Sequence, residues 1–269
     1  MSTIAPTAHP AQATVPGKPM PGIPFSRVVG VELRKMFDTR SGMWLMYSIG
    51  ILALLATVSV ILFAPDSSLD YESFASAIGF PMVVILPIVA ILSVTGEWSQ
   101  RTGLSTFTFI PHRGKVIGAK AVAALLVGVV SMIVAMAVGA VGNVVGSTIA
   151  GVDTTWNVSV MELVLITLAN VLGMAVGFML AVLFRNTPTA IVLYFVYNFV
   201  LTTAASILAV SQQWFEDIRG WVDFNYAQSA LFEGGPTSEQ WAQIGVSGLF
   251  WLVIPLTIGL FTVLRSEVK

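Results

Sequence analysis

The sequence predicts an all-α integral membrane protein in which six transmembrane helices leave both the N- and C-termini in the cytoplasm. Three observations carry this expectation. Apolar residues make up 56% of the 269 positions and charged residues only 10%, far from the balance of a water-soluble domain. Six stretches nearly free of charge are each long enough to cross hydrocarbon, for which about 20 helical residues suffice. The basic residues between those stretches fall almost entirely on one side of a six-span path.

Residues 1–24 are rich in Pro, Ala, Thr and Gly and have too little apolar surface to offset the entropy of ordering, so they read as a disordered cytoplasmic tail. They lack the basic start and continuous apolar core of a secretory signal. Over 25–40, Phe25, Val28, Val29, Leu33, Met36 and Phe37 recur at helical spacing while Arg27, Arg34, Lys35 and Asp38 fall elsewhere. That is the pattern of an amphipathic interfacial helix lying along the inner headgroup layer of the membrane lipid.

Residues 41–269 make up the six-helix transmembrane domain, with approximate spans 41–65, 73–96, 116–150, 160–184, 188–211 and 240–264. Asp66, Asp70 and Glu72 separate the first two spans, and Arg185-Asn186-Thr187-Pro188 separates the fourth and fifth; both are short turns between antiparallel neighbours. Between the fifth and sixth, Trp214, Phe215, Ile218, Trp221 and Val222 form a stripe opposite Glu216, Asp217, Arg219 and Asp223, which predicts an extracytoplasmic loop helix at the interface. Gly234-Gly235-Pro236 ends that helix, and Thr237 followed three residues later by Gln240 has the spacing of a capping box opening the last span.

Orientation follows from the basic residues. Arg27, Arg34, Lys35, Arg40, Arg101, Arg113, Lys115, Lys120, Arg185, Arg265 and Lys269 share one side of a six-span path, and only Arg219 falls opposite. By the positive-inside rule that side is the cytoplasm, and the protein is expected in the cell inner (cytoplasmic) membrane as a multi-pass protein. An odd number of spans would scatter these residues over both faces.

The same composition excludes several activities. There is no cysteine, and the only histidines are His9 and His112, so thiolate metal sites and disulfides are absent and His112 reads as a surface residue. No histidine or aspartate lies in a span to activate a serine. No catalytic, cofactor-binding or metal-ligating residue is therefore assigned, and the chain is not expected to be an enzyme. It carries no phosphate-binding G-x-x-x-x-G-K-[ST] loop, so ATP and Mg would sit on a separate chain. Titratable groups, which couple ions to substrate in secondary transporters, are almost missing from the spans; Glu162 reads as an interfacial carboxylate, and Pro81 and Pro87 as kinks in the second span.

Polar residues within the spans are mostly uncharged. Tyr194, Asn198, Thr202 and Ser206 recur every fourth position, which puts them on one slowly turning face lining either a helix contact or a passage. Gly173-x-x-x-Gly177 with Ala169, and Gly139, Gly142 and Gly146, suggest close-packing seams.

The inner loop is the most informative segment. It runs from Glu97 through Arg101, Thr102 and Gly103, past Leu104, Phe107 and Ile110, to Pro111-His112-Arg113 and then Ala119-Lys120 at the third span. Leu104, Phe107 and Ile110 suit a short surface helix that Pro111 stops. An acidic residue ending the second span, a Thr/Gly turn, a short apolar helix, Pro-x-Arg and an Ala-Lys entering the next span resemble the ABC-2-type permeases of ABC transporters. The resemblance takes in Phe25 to the C-terminus.

It implies a homodimer or heterodimer of permeases and two cytosolic ABC ATPase subunits. It also implies a cytoplasmic coupling helix in the inner loop, with Glu97, Arg101, Thr102, Leu104, Phe107, Ile110 and Arg113 as the loop's site residues. Glu32 adds a constraint of its own: helical spacing puts this carboxylate among Val28, Val29 and Met36, where it needs a cation. Arg101, Arg113, Lys115 and Lys120 are candidates, as is Lys35 one turn along the same helix.

The function expected is the permease subunit of an exporter for a hydrophobic or amphipathic molecule of the antibiotic, peptide or lipid class, with no nucleic-acid partner. A channel is disfavoured because no ring of charge lines the spans; a non-transporting anchor for a cytosolic complex would need the inner loop but not the polar stripe.

Overall fold

The computed structural model describes residues 23–99 and 113–265. The expected tail over 1–22 and the coupling-loop residues Arg101, Thr102, Leu104, Phe107 and Ile110 lie outside them, as do 266–269. Among the described residues all regular structure is helical apart from one isolated bridge between Asp70 and Thr155.

Helix α1 (Phe25–Asp38) buries Val28, Val29, Glu32 and Met36 against the start of the third span. Thr39 then takes an extended backbone conformation, which ends α1, and its hydroxyl accepts the Gly42 amide at 3.1 Å to open α2 (Arg40–Phe63). One of the amides that the first turn of a helix leaves without a partner is thereby satisfied. Among its described side chains α2 buries only Ile49, Ala53 and Thr57, one narrow face at fourth-residue spacing, and shows Leu54, Leu62 and Phe63 outward. A soluble protein could not leave that surface bare; a bilayer covers it.

α3 (Tyr71–Ser99) and α5 (Val160–Phe184) form the centre of the bundle, with α4 (Arg113–Ala150) beside them. Among the described residues six helices, namely α2 to α5 together with α6 (Thr187–Ser211) and α9 (Ser238–Arg265), are long and apolar enough to cross a membrane. The chain is thus an all-helical, multi-pass membrane protein.

The glycine seam of α4 explains its close approach to its neighbours. A Cβ at Gly142 would lie 2.4 Å from Thr57 Cγ2 and 2.9 Å from the Phe74 ring, and one at Gly146 3.0 Å from the same ring. The other predicted seam divides: Gly177 packs against the Pro87 carbonyl, whereas Gly173 has no neighbour within 4 Å of its added Cβ. The sequence spacing treated the two as equivalent; only the first faces α3.

At the bundle end opposite Phe25 and Arg265, Asn157 Nδ2 donates to Asp70 Oδ2 (2.9 Å) and Glu72 Oε2 (3.1 Å), pinning the α4–α5 connection to the start of α3. Glu162 closes a capping box with Ser159 there. At the terminal end, Arg185 sits at φ 54° as the left-handed cap of α5, and the Asn186 side chain caps α6. Between α6 and α9 lie α7 (Gln213–Val222) and the short α8 (Phe224–Ser229). Gly234 and Gly235, both at positive φ, turn the chain into the Thr237–Gln240 capping box.

The stripe predicted for the outer helix is only partly its outward face. Trp214, Ile218 and Val222 are exposed, but Arg219, expected on the polar side, turns inward. It donates to Ser206 Oγ at 2.9 Å and to Asp223 Oδ2 at 3.3 Å, and lies over the Tyr226 ring. A lone guanidinium at this depth is held by its partners rather than by solvent.

Candidate functional site

Four charged side chains from three helices meet at the terminal end of the bundle. α1 contributes Glu32 and Lys35, α3 contributes Glu97 two residues before its end, and α4 contributes Lys120 from its second turn. Lys120 Nζ lies 2.5 Å from Glu32 Oε2 and 3.3 Å from Glu97 Oε1, and donates to the Ser93 carbonyl at 3.0 Å. Lys35 Nζ lies 2.8 Å from Glu32 Oε1 and 3.1 Å from Glu97 Oε1. Glu32, Glu97 and Lys120 are each about 95% buried or more, while the Lys35 side chain is 42% exposed. Two carboxylates and two ammoniums leave no net charge, which is the condition for keeping such groups out of water.

Burial alone would lower the Lys35 pKa, but hydrogen bonding and charge from Glu32, and then from Glu97, outweigh it and hold the pKa above its ordinary value. Lys35 is therefore a cation at neutral pH.

Glu32 thus meets both kinds of cation that the sequence offered, the local Lys35 and the distant Lys120. Arg113 goes elsewhere: its Nη1 donates to the Val263 carbonyl at 3.1 Å, joining α4 to the end of α9. Lys115 donates to the Ile23 carbonyl. Among the described residues, Glu97 Oε2 is buried without a hydrogen-bond partner. The neighbouring loop, where Arg101, Thr102, Leu104, Phe107 and Ile110 fall, is outside the described residues.

The polar stripe of α6 is dispersed over several contacts. Tyr194, 1% exposed, donates its hydroxyl to the Val83 carbonyl at 2.6 Å. Val83 is four residues before Pro87, whose missing N–H leaves that carbonyl without its helical partner; Tyr194 supplies one. Asn198 Oδ1 accepts from Asn225 Nδ2 of α8 at 2.7 Å. Ser206 donates to the Thr202 carbonyl and accepts from Arg219. Thr202 reaches the Tyr197 carbonyl five residues back, at 3.4 Å, because Val196–Leu201 is a π-helical segment. Among the described residues, no group of three or more His, Cys, Asp or Glu side chains could hold a metal.

A family model described as ABC-2 family transporter protein matches residues 30–201, more than half of the chain. The chain belongs to this ABC-2 transporter family. A comparison with curated proteins finds no match. The ABC-2 match takes in all four residues of the buried ion cluster and ends with the π-helical segment of α6, so Thr202, Ser206 and the outer helices lie beyond it. As an ABC-2 protein the chain is a permease subunit of an ABC transporter, a transport subunit set in a membrane.

Sequence reasoning left two parts of this ABC-2 permease unranked. Lys120 was visible as a candidate partner, but nothing in the sequence ranked it above Arg101, Arg113, Lys115 or Lys35. Asn170 is a lone amide in an apolar run of α5; that isolation was the available signal, and it marks a residue 3% exposed at the heart of the bundle.

Proposed function

We propose that this permease exports a hydrophobic or amphipathic molecule, driven by a separate cytosolic ABC ATPase whose subunits carry the ATP and Mg. It works as a homodimer or heterodimer of permease chains in the cell inner (cytoplasmic) membrane, with its termini in the cytoplasm.

The observation that carries this reading is the ion cluster of Glu32, Lys35, Glu97 and Lys120. α3 and α4 are the two spans that flank the inner loop, and the cluster ties both to α1. A rigid-body shift delivered to that loop moves α3 and α4 by their ends, and the cluster makes α1 move with them rather than slide along the membrane surface. The polar cost of burying Glu32, Glu97 and Lys120 is met by their pairing with one another and with Lys35, which leaves the three helices one preferred arrangement.

The test is to co-express the chain with candidate ABC ATPases and measure ATP turnover in lipid nanodiscs. Support is an ATPase that co-purifies and whose turnover falls to that of the isolated ATPase when this chain is omitted. Transport or conductance by the chain with no ATPase bound would overturn the reading.

A further inference from the structure

A cavity with a mostly apolar wall and several inward polar side chains lies between α3, α5, α6 and α8, in the half of the bundle away from Phe25 and Arg265. Its volume is about 100 Å³, and its lining includes Asn170, Gly173, Tyr197, Asn198, Asn225 and Gln228. Among the described residues, no Asp, Glu, Lys, Arg or His lines it. At roughly 10–15 Å³ of such volume per water molecule, it has room for several waters or one small organic group.

Two polar atoms make an empty cavity untenable. Asn170 is 3% exposed; its Nδ2 donates to the Ile166 carbonyl at 2.9 Å, but among the described residues its Oδ1 has no partner. The buried hydroxyl of Tyr197 likewise has none. Buried polar groups are almost always hydrogen-bonded, and leaving one unmade costs its full desolvation. Of the other amides, Asn225 has given one N–H to Asn198 and Gln228 has given one to the Phe224 carbonyl. Capacity to donate and to accept is left over on both sides of the cavity. Gly173 keeps the wall open, since a Cβ there meets nothing within 4 Å.

We propose that this cavity binds an uncharged group able both to donate and to accept hydrogen bonds, such as a hydroxyl or primary amide, at the polar end of the transported molecule. This rests on the reading of the chain as a permease for an amphipathic molecule and specifies the head such a molecule carries. An ionised head is disfavoured because it would leave water for a site whose nearest charge, Asp223, is already paired with Arg219.

The chain has no cysteine, so a single introduced thiol reports its own surroundings. Gly173→Cys adds its side chain into open space, and Val200→Cys, on the 57% exposed outer face of α6, is the lipid-facing control. The full-length chain, with whatever subunits co-purify, is placed in lipid nanodiscs and treated with 2-hydroxyethyl methanethiosulfonate. Octanamide, octanoate and octylamine serve as competitors with one chain length and three head charges.

Gly173→Cys is expected to react while Val200→Cys does not, because a thiol in hydrocarbon stays un-ionised. Octanamide slows the reaction and the two charged homologues do not. Adding Asn170→Leu weakens the protection about fivefold, the worth of one hydrogen bond. No reaction at Gly173→Cys, equal protection by all three heads, or reaction without protection by octanamide would each overturn the proposal, the last leaving a cavity that holds water alone. The labelling needs no ATP, so it stands or falls separately from the ATPase experiment.

Discussion

Replacing Lys120 by Met tests the ion cluster at its most buried point. Met keeps the length of the apolar stem and removes the ammonium that sits 2.5 Å from Glu32 and 3.3 Å from Glu97. Both carboxylates stay about 95% buried, and the cation left to them is Lys35, whose side chain is 42% exposed. Removing one partner of a buried pair typically costs about 3–5 kcal/mol, mostly because the remaining charge is stranded. Lys35→Met removes a cation that solvent already screens, and about 0–1 kcal/mol is expected.

The assay is equilibrium unfolding of the purified chain in mixed micelles of graded denaturing-detergent content, followed by loss of helical signal. Lys120→Met should be the more destabilising by about 2 kcal/mol or more, a factor of about thirty in the unfolding constant. A double-mutant cycle pairs each lysine change with Glu32→Gln. Coupling with Lys120 should exceed coupling with Lys35, since neighbours sharing a network typically couple by about 0.5–3 kcal/mol. Equal losses for the two lysines, or additivity between Glu32 and Lys120, would refute the argument that the distant pair fixes α1.

Tyr194→Phe should destabilise the chain by about 1–3 kcal/mol by orphaning the Val83 carbonyl, and Pro87→Ala in the same chain should recover part of that loss by restoring a backbone N–H to it; unequal unfolding midpoints without any recovery would count against this pairing. Gly142→Leu should destabilise by about 1–3 kcal/mol or more, because its Cβ alone would fall 2.4 Å from Thr57 Cγ2; Gly173→Leu, facing open space, should cost less in the same unfolding assay.

The six spans were legible because the bilayer imposes a strong rule: every charge taken into hydrocarbon costs free energy, so the crossings appear as gaps in the charge pattern. α1 was legible for the complementary reason, an apolar face broken only by Glu32. Backbone irregularities left no comparable mark. The π-helical segments Val196–Leu201 and Leu249–Val253 have the composition of any apolar span. Tyr197 of the first and Trp251 of the second meet with ring centroids 5.5 Å apart and planes tilted by 49°, and the Trp251 indole donates to the Val222 carbonyl. Arg219 was misplaced on the outer helix because periodicity ranks faces by polarity and does not see the hydroxyl of Ser206 waiting on α6.

The ion cluster and the cavity hold polar groups of different kinds. At the terminal end they are ionised and paired across α1, α3 and α4, where each charge fixes another and the ensemble holds one geometry. Around the cavity of α5, α6 and α8 they are neutral amides and hydroxyls, several with hydrogen-bonding capacity unspent. Ion pairs at close range are rigid and suit the transmission of force; unfilled amides are adaptable and suit contact with something that enters and leaves. Tyr194 stands between the two regions, its hydroxyl committed to the carbonyl that Pro87 frees in α3 while its ring borders the cavity. A shift of α3 relative to α6 must stretch that hydrogen bond or carry Tyr194 with it, and either outcome changes the cavity wall. The bond between Tyr194 and Val83 thus joins α6 to α3 at the cavity wall, which Val83 itself also lines.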